Sequence, residues 1–442
     1  MKFKISPILR GIYYLVKGTV FVTFSIFYKK QYRINRDYFE TPAPCIIVGN
    51  HPSTLVDVLI AAKEKHAIVH FLANAGLFSS KISNWVLSRL FCIKVERAKD
   101  VSGRRIDNVD SFRRSAEFLL RNGTLYVAAE GSSKLERRLR KIKTGTARIA
   151  LDTAKISKWT IPLKILPVGL TYENPKKACY DLLYNFGQPI DVLSYKEQYQ
   201  QDPVRAVKQL TRNIQERMQS LLLHTEPTDD DIDKLVQKLE IIHKNEYGTN
   251  LEEQFSLSKK WIVRLVDLKV NDLTAYNIIA AEINKYCDAL VNYQLTDQAV
   301  QSKSNFLLKT FWQIAGFLPA VWGWLHNLLA FYLPDFIIRK TGMYHGYTSS
   351  IKLLLTVFVF PITYWIQYRL VGMLDLGPYI PLIYILSTIL LGFFALFYFR
   401  KLVHYRARSR WNQLRRKDQQ AYNQIKSQRK AIISNVFTNL IP

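Results

Sequence analysis

Residues 45–62 read CIIVGNHPSTLVDVLIAA: an apolar β-branched run, a turn marked by Gly49, Asn50, His51 and Pro52, then an apolar helical pattern. Strand, tight turn and helix in that order are the building unit of an α/β fold. Outward from it, AIVHFLA (67–73), FCIKV (91–95), TLYVAA (124–129) and the stretch from Ile161 to Tyr172 are further strand-like runs separated by helical patterns. One such pattern, DSFRRSAEFLL (110–120), has Asp107 or Asn108 as start signals, and Asn122-Gly123 ends it. Residues 41–200 are therefore expected to form an α/β sandwich with a mostly central sheet.

Pro52 disfavours helical geometry at His51 and itself suits a first helical turn, so His51 is expected at the helix cap, exposed at the sheet's edge. Asp57 lies six positions on, about 600° around a regular helix, and would share no face with a helical His. A His in the preceding turn can instead fold back onto the helix. A carboxylate accepting from one imidazole nitrogen fixes the tautomer and leaves the other nitrogen free as a base. By itself such a pair recurs by chance, as a capping His and a solvated Asp.

The 442 residues carry 62 Lys and Arg against 35 Asp and Glu, a net charge of +27 that calls for an anionic neighbour. Nucleic acid and phospholipid both qualify. The basic residues crowd beside hydrophobic runs, as from Lys401 to Lys430, and juxtamembrane cations gain about 1 kcal/mol each at an anionic leaflet. No aromatic-interleaved nucleic-acid motif accompanies them, so an anionic phospholipid membrane is the expected partner. Cys45, Cys92, Cys179 and Cys287 form no CxxC pair and have no His at zinc-site spacing, which suits a reducing cytosolic side. His66 and His70, in or beside a strand and without an HExxH, suggest packing or surface groups, and no metal is expected.

Residues 1–40 suggest a membrane-associated interfacial helix. The apolar stretch 7–29 is interrupted by Arg10 and Lys17, so its longest uncharged run falls far below the roughly 20 residues that span, and no signal-peptide cleavage site is expected. Residues 201–303 are charged and helical in period, with no obvious chemistry. Residues 304–400 hold two candidate transmembrane helices, 353–374 and 378–399, and an uncharged, Trp-bearing stretch, 310–334, expected to lie in the headgroup layer. Basic residues before the first span (Arg339, Lys340, Lys352) and after the second (Arg400, Lys401) place both ends, a basic tail at 401–442 and the α/β domain on the cytoplasmic side.

The blocks downstream of NHPSTLVD occur in a familiar order. KVER (94–97), AAEGSSK (128–134), KTGTARIAL (143–151), ILPVGL (165–170) and FGQPI (186–190) follow one another, and together they resemble the glycerolipid acyltransferase family, which includes glycerol-3-phosphate and 1-acylglycerol-3-phosphate acyltransferases. The likeness covers about 40–195 well and the C-terminal hydrophobic region loosely. The family commonly has four residues between His and Asp; the five here, an HX5D motif, resemble the branch nearer to glycerol-3-phosphate acyltransferases. Ala129 stands where Pro is usual and Ser132 where Thr is common.

The resemblance implies an αβ-sandwich acyltransferase domain with a membrane-embedded helical C-terminal region. It makes His51 the general base and Asp57 its orienting carboxylate, with Arg97 on the acceptor phosphate and Glu130 and Gly131 shaping the acceptor site. Asn50, Ser53, Ser132 and Lys143 complete the expected substrate contacts. Arg's planar fork suits phosphate oxygens, though Arg97 alone would equally suit a surface salt bridge with Glu96 or Asp100. From Lys134 to Lys143 six basic residues accompany one acid, Glu136; that loop is either a solvated face or one pressed on lipid or coenzyme A phosphates. The implied reaction moves an acyl group from acyl-CoA or acyl carrier protein to a glycerol-phosphate hydroxyl in phospholipid synthesis, with no cofactor beyond that co-substrate. Another lysophospholipid or a lipid amine as acceptor, and a catalytically silent lipid-binding protein, remain the alternatives.

Overall fold

The computed structural model of the chain describes residues 5–42, 44–78, 80–89, 91–96, 108–175, 177, 179–301, 306–341 and 348–440. Among them one sheet of eight strands is formed by β1 (Tyr28–Ile34), β2 (Cys45–Gly49), β3 (Val69–Asn74), β4 (Cys92–Val95), β5 (Thr124–Ala128), β6 (Lys164–Tyr172), β7 (Tyr180–Phe186) and β8 (Ile190–Asp191). Their spatial order is β1-β7-β6-β2-β5-β3-β4, with β8 also on β6. β2 is central, parallel to β5 on one side and β6 on the other, and β6 runs antiparallel to β7.

Helices α1 (Pro7–Phe27), α2 (Leu55–Glu64), α3 (Lys81–Arg89), α4 (Val109–Leu120), α5 (Gly145–Ile156), α6 (Lys196–Gln201) and α7 (Pro203–Ser220) surround the sheet. Side chains alternate across a strand, so each strand serves two cores. Ile46, Val48, Leu125, Val127 and Ile165 pack with Leu119 of α4, Ile149 of α5, and Leu210 and Ile214 of α7. On the other face, Cys45, Ile47, Tyr126, Leu166 and Val168 pack with Phe24 of α1 and with Val56 and Ile60 of α2. This three-layer arrangement is the expected α/β sandwich.

Three boundaries differ from expectation. The sheet starts at Tyr28, ahead of residue 41, because β1 is an edge strand whose polar sequence YKKQYRI hides it. The helix after β2 starts at Leu55, so His51 and Pro52 precede its cap, Thr54, rather than forming it. Lastly, α7 belongs to the sandwich: Ala206, Leu210, Ile214 and Met218, spaced four apart, bury its apolar stripe.

A charged cluster ties β1 to the end of α2. Both nitrogens of the Arg33 fork reach the Glu64 carboxylate at 2.8 Å, and Lys63 Nζ reaches it at 2.6 Å. Burial alone would raise the Glu64 carboxyl, but these donors outweigh it and hold it down at about 2. A depressed carboxylate stabilises the fold above its ordinary value of 4.5 and loses that contribution as pH falls towards 2. Acid unfolding of the full chain in detergent is therefore expected to steepen over that window, and Glu64→Gln to flatten it; an unchanged profile would contradict the cluster's role.

The chain divides into two compact units, one reaching His224 and also taking in the start of α15 as far as Leu353, the other comprising the remainder. The second contains α8 (Asp230–Tyr247), α9 (Leu251–Asn271), α10 (Leu273–Asn292), α11 (Asp297–Gln301), α12 (Phe306–Ala315), α13 (Phe317–His326), α14 (Leu328–Thr341), most of α15 (Thr348–Gly372), α16 (Ile380–Lys417), α17 (Gln419–Ala431) and α18 (Phe437–Leu440). Among the described residues, Ser350–Gly372 and Ile380–Lys417 are long and apolar enough to cross a membrane. Thr310–His326 and Leu328–Lys340 qualify only as a pair bent by 55°.

At 38 residues α16 is roughly 57 Å long, well beyond a hydrocarbon core of about 30 Å. Its basic second half continues as helix and is followed by helix. The segment expected as a basic tail is instead packed: Ile425, Ile432, Val436, Phe437 and Leu440 are buried, and Arg429 pairs with Asp297 and Glu246. Charge count suggested a tail, but the apolar residues at near-helical spacing give it a face to bury.

Polar and small residues join the apolar helices. Asn327, buried, donates to Gly323 and Thr388 carbonyls and accepts from Tyr364. A Cβ on Gly323 would stand 1.9 Å from the Leu391 carbonyl oxygen, so α13 and α16 touch backbone to backbone there. Gly323→Ala is accordingly expected to destabilise the full chain by about 1–3 kcal/mol, as overpacking does. Gly11→Ala, whose added methyl meets nothing within 4 Å among the described residues, is the control. Equal thermal midpoints for the two variants would refute the close crossing.

Candidate active site

β2 and β5 lie in register with Gly49 opposite Ala128, and their carboxyl ends open into the turn 50–54 and the loop 129–143. Ligands of open α/β sheets bind at carboxyl ends of strands. Gly49 is required there because a Cβ would fall 2.6 Å from the Tyr126 hydroxyl. Beyond it the Asn50 side chain donates to the Leu170 carbonyl at 3.0 Å and accepts from its amide at 2.8 Å. Asn50 thus locks the turn to β6 and is buried, with its amide used within the protein.

His51 folds back onto α2. Its Nδ1 lies 3.2 Å from Asp57 Oδ2, and the same oxygen accepts the Ser53 amide at 2.7 Å. The other oxygen, Oδ1, accepts the Tyr172 hydroxyl. Asp57 is wholly buried, whereas the His51 side chain keeps 13 % of its surface exposed. Burial, then the Asp57 charge, push the Tyr172 phenol well above its ordinary value, so it stays protonated and donates. With Nδ1 turned to Asp57, Nε2 is the imidazole nitrogen left for chemistry.

The second loop is clamped to the first through Glu130. Its Oε1 accepts the His51 amide at 2.9 Å and its Oε2 accepts Arg140 Nε at 2.8 Å. Burial raises the Glu130 carboxyl and Arg140 opposes the rise. Arg140 also donates to Ser132 Oγ at 2.9 Å and to the Ser132 carbonyl. Gly131 has φ +72°, left-handed backbone suited to glycine, with the Lys143 side chain beside it. Ser133 Oγ accepts from the Thr54 amide at 3.2 Å and meets the Thr54 hydroxyl at 3.0 Å, holding Thr54 at φ +52°. A non-glycine there is strained, and the Ser133 contacts hold the strain in place.

The structure therefore gathers His51, Asp57, Ser53, Glu130, Gly131 and Ser132 at one sheet edge. Lys143 is exposed nearby, and its backbone amide bonds the Ala129 carbonyl at 2.9 Å. Ser53 is buried, and its hydroxyl has no hydrogen-bond partner among the described residues. Arg97 lies outside the described residues. Within the basic loop Arg138 and Arg140 are turned to Glu136 and Glu130, while Lys141 and Lys143 are exposed. Among the described residues no group of three or more His, Cys, Asp or Glu is placed to hold a metal ion. His70, pressed against Phe118 with ring centroids 3.8 Å apart, is a buried packing residue whose imidazole is pushed down to about 4 by desolvation.

Tyr172, Arg140 and Ser133 escaped the sequence reading. Tyr172 ends the strand that contains ILPVGL, two residues past that block, so a buried acceptor in need of a second donor was the available clue. Tyr172→Phe removes one donor from a buried carboxylate, and is expected to lower stability by about 1–3 kcal/mol. A thermal midpoint equal to wild type would show that Asp57 does not depend on it.

Residues 32–171 match the family model described as Acyltransferase. Over 212 residues the chain is 27% identical to glycerol-3-phosphate O-acyltransferase 1 of Saccharomyces cerevisiae, covering 46% of this chain and 27% of that protein. Over 144 residues it is 24% identical to the chloroplastic 1-acyl-sn-glycerol-3-phosphate acyltransferase BAT2 of Brassica napus, covering 32% and 39% respectively. The matched region thus spans well under half the length of these relatives. The crystal structure of the 1-acyl-sn-glycerophosphate (LPA) acyltransferase PlsC from Thermotoga maritima is similar at 17% identity over 47% of this chain and 80% of that one, with a TM-score of 0.34.

Proposed function

We propose that this chain, which belongs to the acyltransferase family through the domain at residues 32–171, transfers a fatty acyl group from acyl-CoA or acyl carrier protein to a hydroxyl of a glycerol phosphate. The observation that carries the proposal is the His51–Asp57 pair at the carboxyl edge of the sheet, with Nδ1 held 3.2 Å from a buried carboxylate. His51 Nε2 takes the proton from the acceptor hydroxyl as its oxygen attacks the thioester carbonyl. The tetrahedral intermediate collapses by breaking the C–S bond, and the proton passes from Nε2 to the departing thiolate. Asp57 holds the ring and stabilises the imidazolium between the two transfers. The scheme draws on no cofactor beyond the acyl donor.

Arg97, Lys143 and the exposed Lys141 supply cations for a phosphate-bearing acceptor, and Glu130 and Gly131 shape the loop that faces it. The two matched relatives are named for glycerol-3-phosphate and for 1-acylglycerol-3-phosphate, which makes these the acceptors to try first. Membrane attachment through α15, α16 and the exposed apolar side chains of α1, such as Ile8 and Leu15, would bring the site to a lipid substrate. The flanking Arg339, Lys340, Lys352, Arg400 and Lys401 favour a cytoplasmic site.

Purified full-length protein in detergent, given labelled acyl-CoA with each acceptor in turn, is expected to make one acylated product. His51→Ala should cut its rate by about 100- to 10,000-fold while the protein stays folded in detergent. Undiminished turnover in that variant would rule out His51 as the base. Transfer to neither acceptor would redirect the search to another lysophospholipid or a lipid amine.

A further inference from the structure

The first turn of α2 carries the Asp57 carboxylate, yet its own cap does not serve it. Helices begin with backbone amides that lack intrahelical partners and are commonly met by the cap side chain. Here Thr54 makes no side-chain cap bond, because its hydroxyl is turned to Ser133. The amide of Leu55 instead donates to the hydroxyl of Ser350 at 2.9 Å, and that of Val56 approaches the same oxygen at 3.4 Å. The Ser350 hydroxyl in turn donates to the Ser53 carbonyl. One side chain, nearly 300 positions along the sequence, thus closes both sides of the turn that follows His51.

We infer that Ser350, in the first turn of α15, is a positioning residue for the His51–Asp57 pair, so that the acyl-transfer site is completed by a segment far outside residues 32–171. The linkage is short. Ser350 holds the Ser53 carbonyl; the Ser53 amide donates to Asp57 Oδ2 at 2.7 Å; and that oxygen meets His51 Nδ1 at 3.2 Å. Ser350 is 4 % exposed, so water does not readily replace its hydroxyl. Leu353, one turn on and 3 % exposed, packs in the same core as Val56 and Ile60, which keeps the start of α15 against α2. The chain therefore ties the entry to a candidate membrane-spanning helix directly to the helix that bears the catalytic carboxylate.

This inference rests on the acyl-transfer proposal, and two measurements on the full-length protein in detergent separate their failures. Ser350→Ala is expected to lower kcat on the order of 10- to 100-fold, the scale of a slightly misplaced catalytic group, with KM for acyl-CoA near that of wild type. Amide hydrogen exchange in peptides covering residues 53–57 should accelerate. Ser350→Thr, which retains a hydroxyl, should restore both kcat and exchange towards wild type. A Ser350→Ala enzyme with wild-type kcat would overturn the inference, as would a loss that merely tracks the folded fraction. If wild type acylates neither glycerol-3-phosphate, 1-acylglycerol-3-phosphate, another lysophospholipid nor a lipid amine, the acyltransferase proposal fails instead. Unchanged exchange at 53–57 in Ser350→Ala would then overturn the positioning role on its own.

Discussion

A carboxylate with no exposed surface has to be compensated from within, and Asp57 is compensated from three directions: the Ser53 amide, the Tyr172 hydroxyl and the His51 ring. Each donor belongs to a different structural commitment. Ser53 sits in the turn between β2 and α2, Tyr172 ends β6, and His51 is fixed through its own amide to Glu130 in the loop after β5. The burial that makes Asp57 costly to leave unpaired is what forces these elements into one arrangement. Removing any donor would leave charge in a dry place, so geometry and stability are maintained by the same contacts.

Glu130 extends that logic to the second loop. It joins the His51 amide to the Arg140 guanidinium, and Arg140 then holds Ser132. The basic loop is therefore divided: Arg138 and Arg140 are engaged with carboxylates, and Lys141 and Lys143 are left outward as the loop's free-facing charge. A loop of uniform charge in sequence thus has an inner structural half and an outer half suited to an anionic ligand or surface. In the helical unit the same principle recurs with neutral groups. Asn327, buried among apolar helices, uses its amide on Gly323 and Thr388 and its carbonyl on Tyr364.

Much of the sandwich was legible because its central strands are continuous apolar runs, as parallel strands buried on both faces must be. CIIVG, TLYVAA and the ILPVGL segment could be placed from composition alone. The edge strand β1 could not, since YKKQYRI has water on one side and reads as loop. Nor could the folding of residues 418–440, where abundant Lys, Arg and Gln hide the apolar residues that α17 and α18 bury.

By itself the sequence determined the strand–turn–helix chemistry: Pro52 keeps His51 out of the helix, and Asp57 lies within reach of a ring that folds back. Its ordered blocks also brought Glu130 into the same neighbourhood. Only the tertiary structure decided what holds that pair. Tyr172, Arg140 and Ser350 come from β6, from a charged loop and from the start of a distant apolar helix, and no local pattern marks them. Hydrogen-bond partners for a buried group are chosen by proximity in space after the chain has folded, and a separation of 115 or 295 residues leaves no periodicity for a sequence to display.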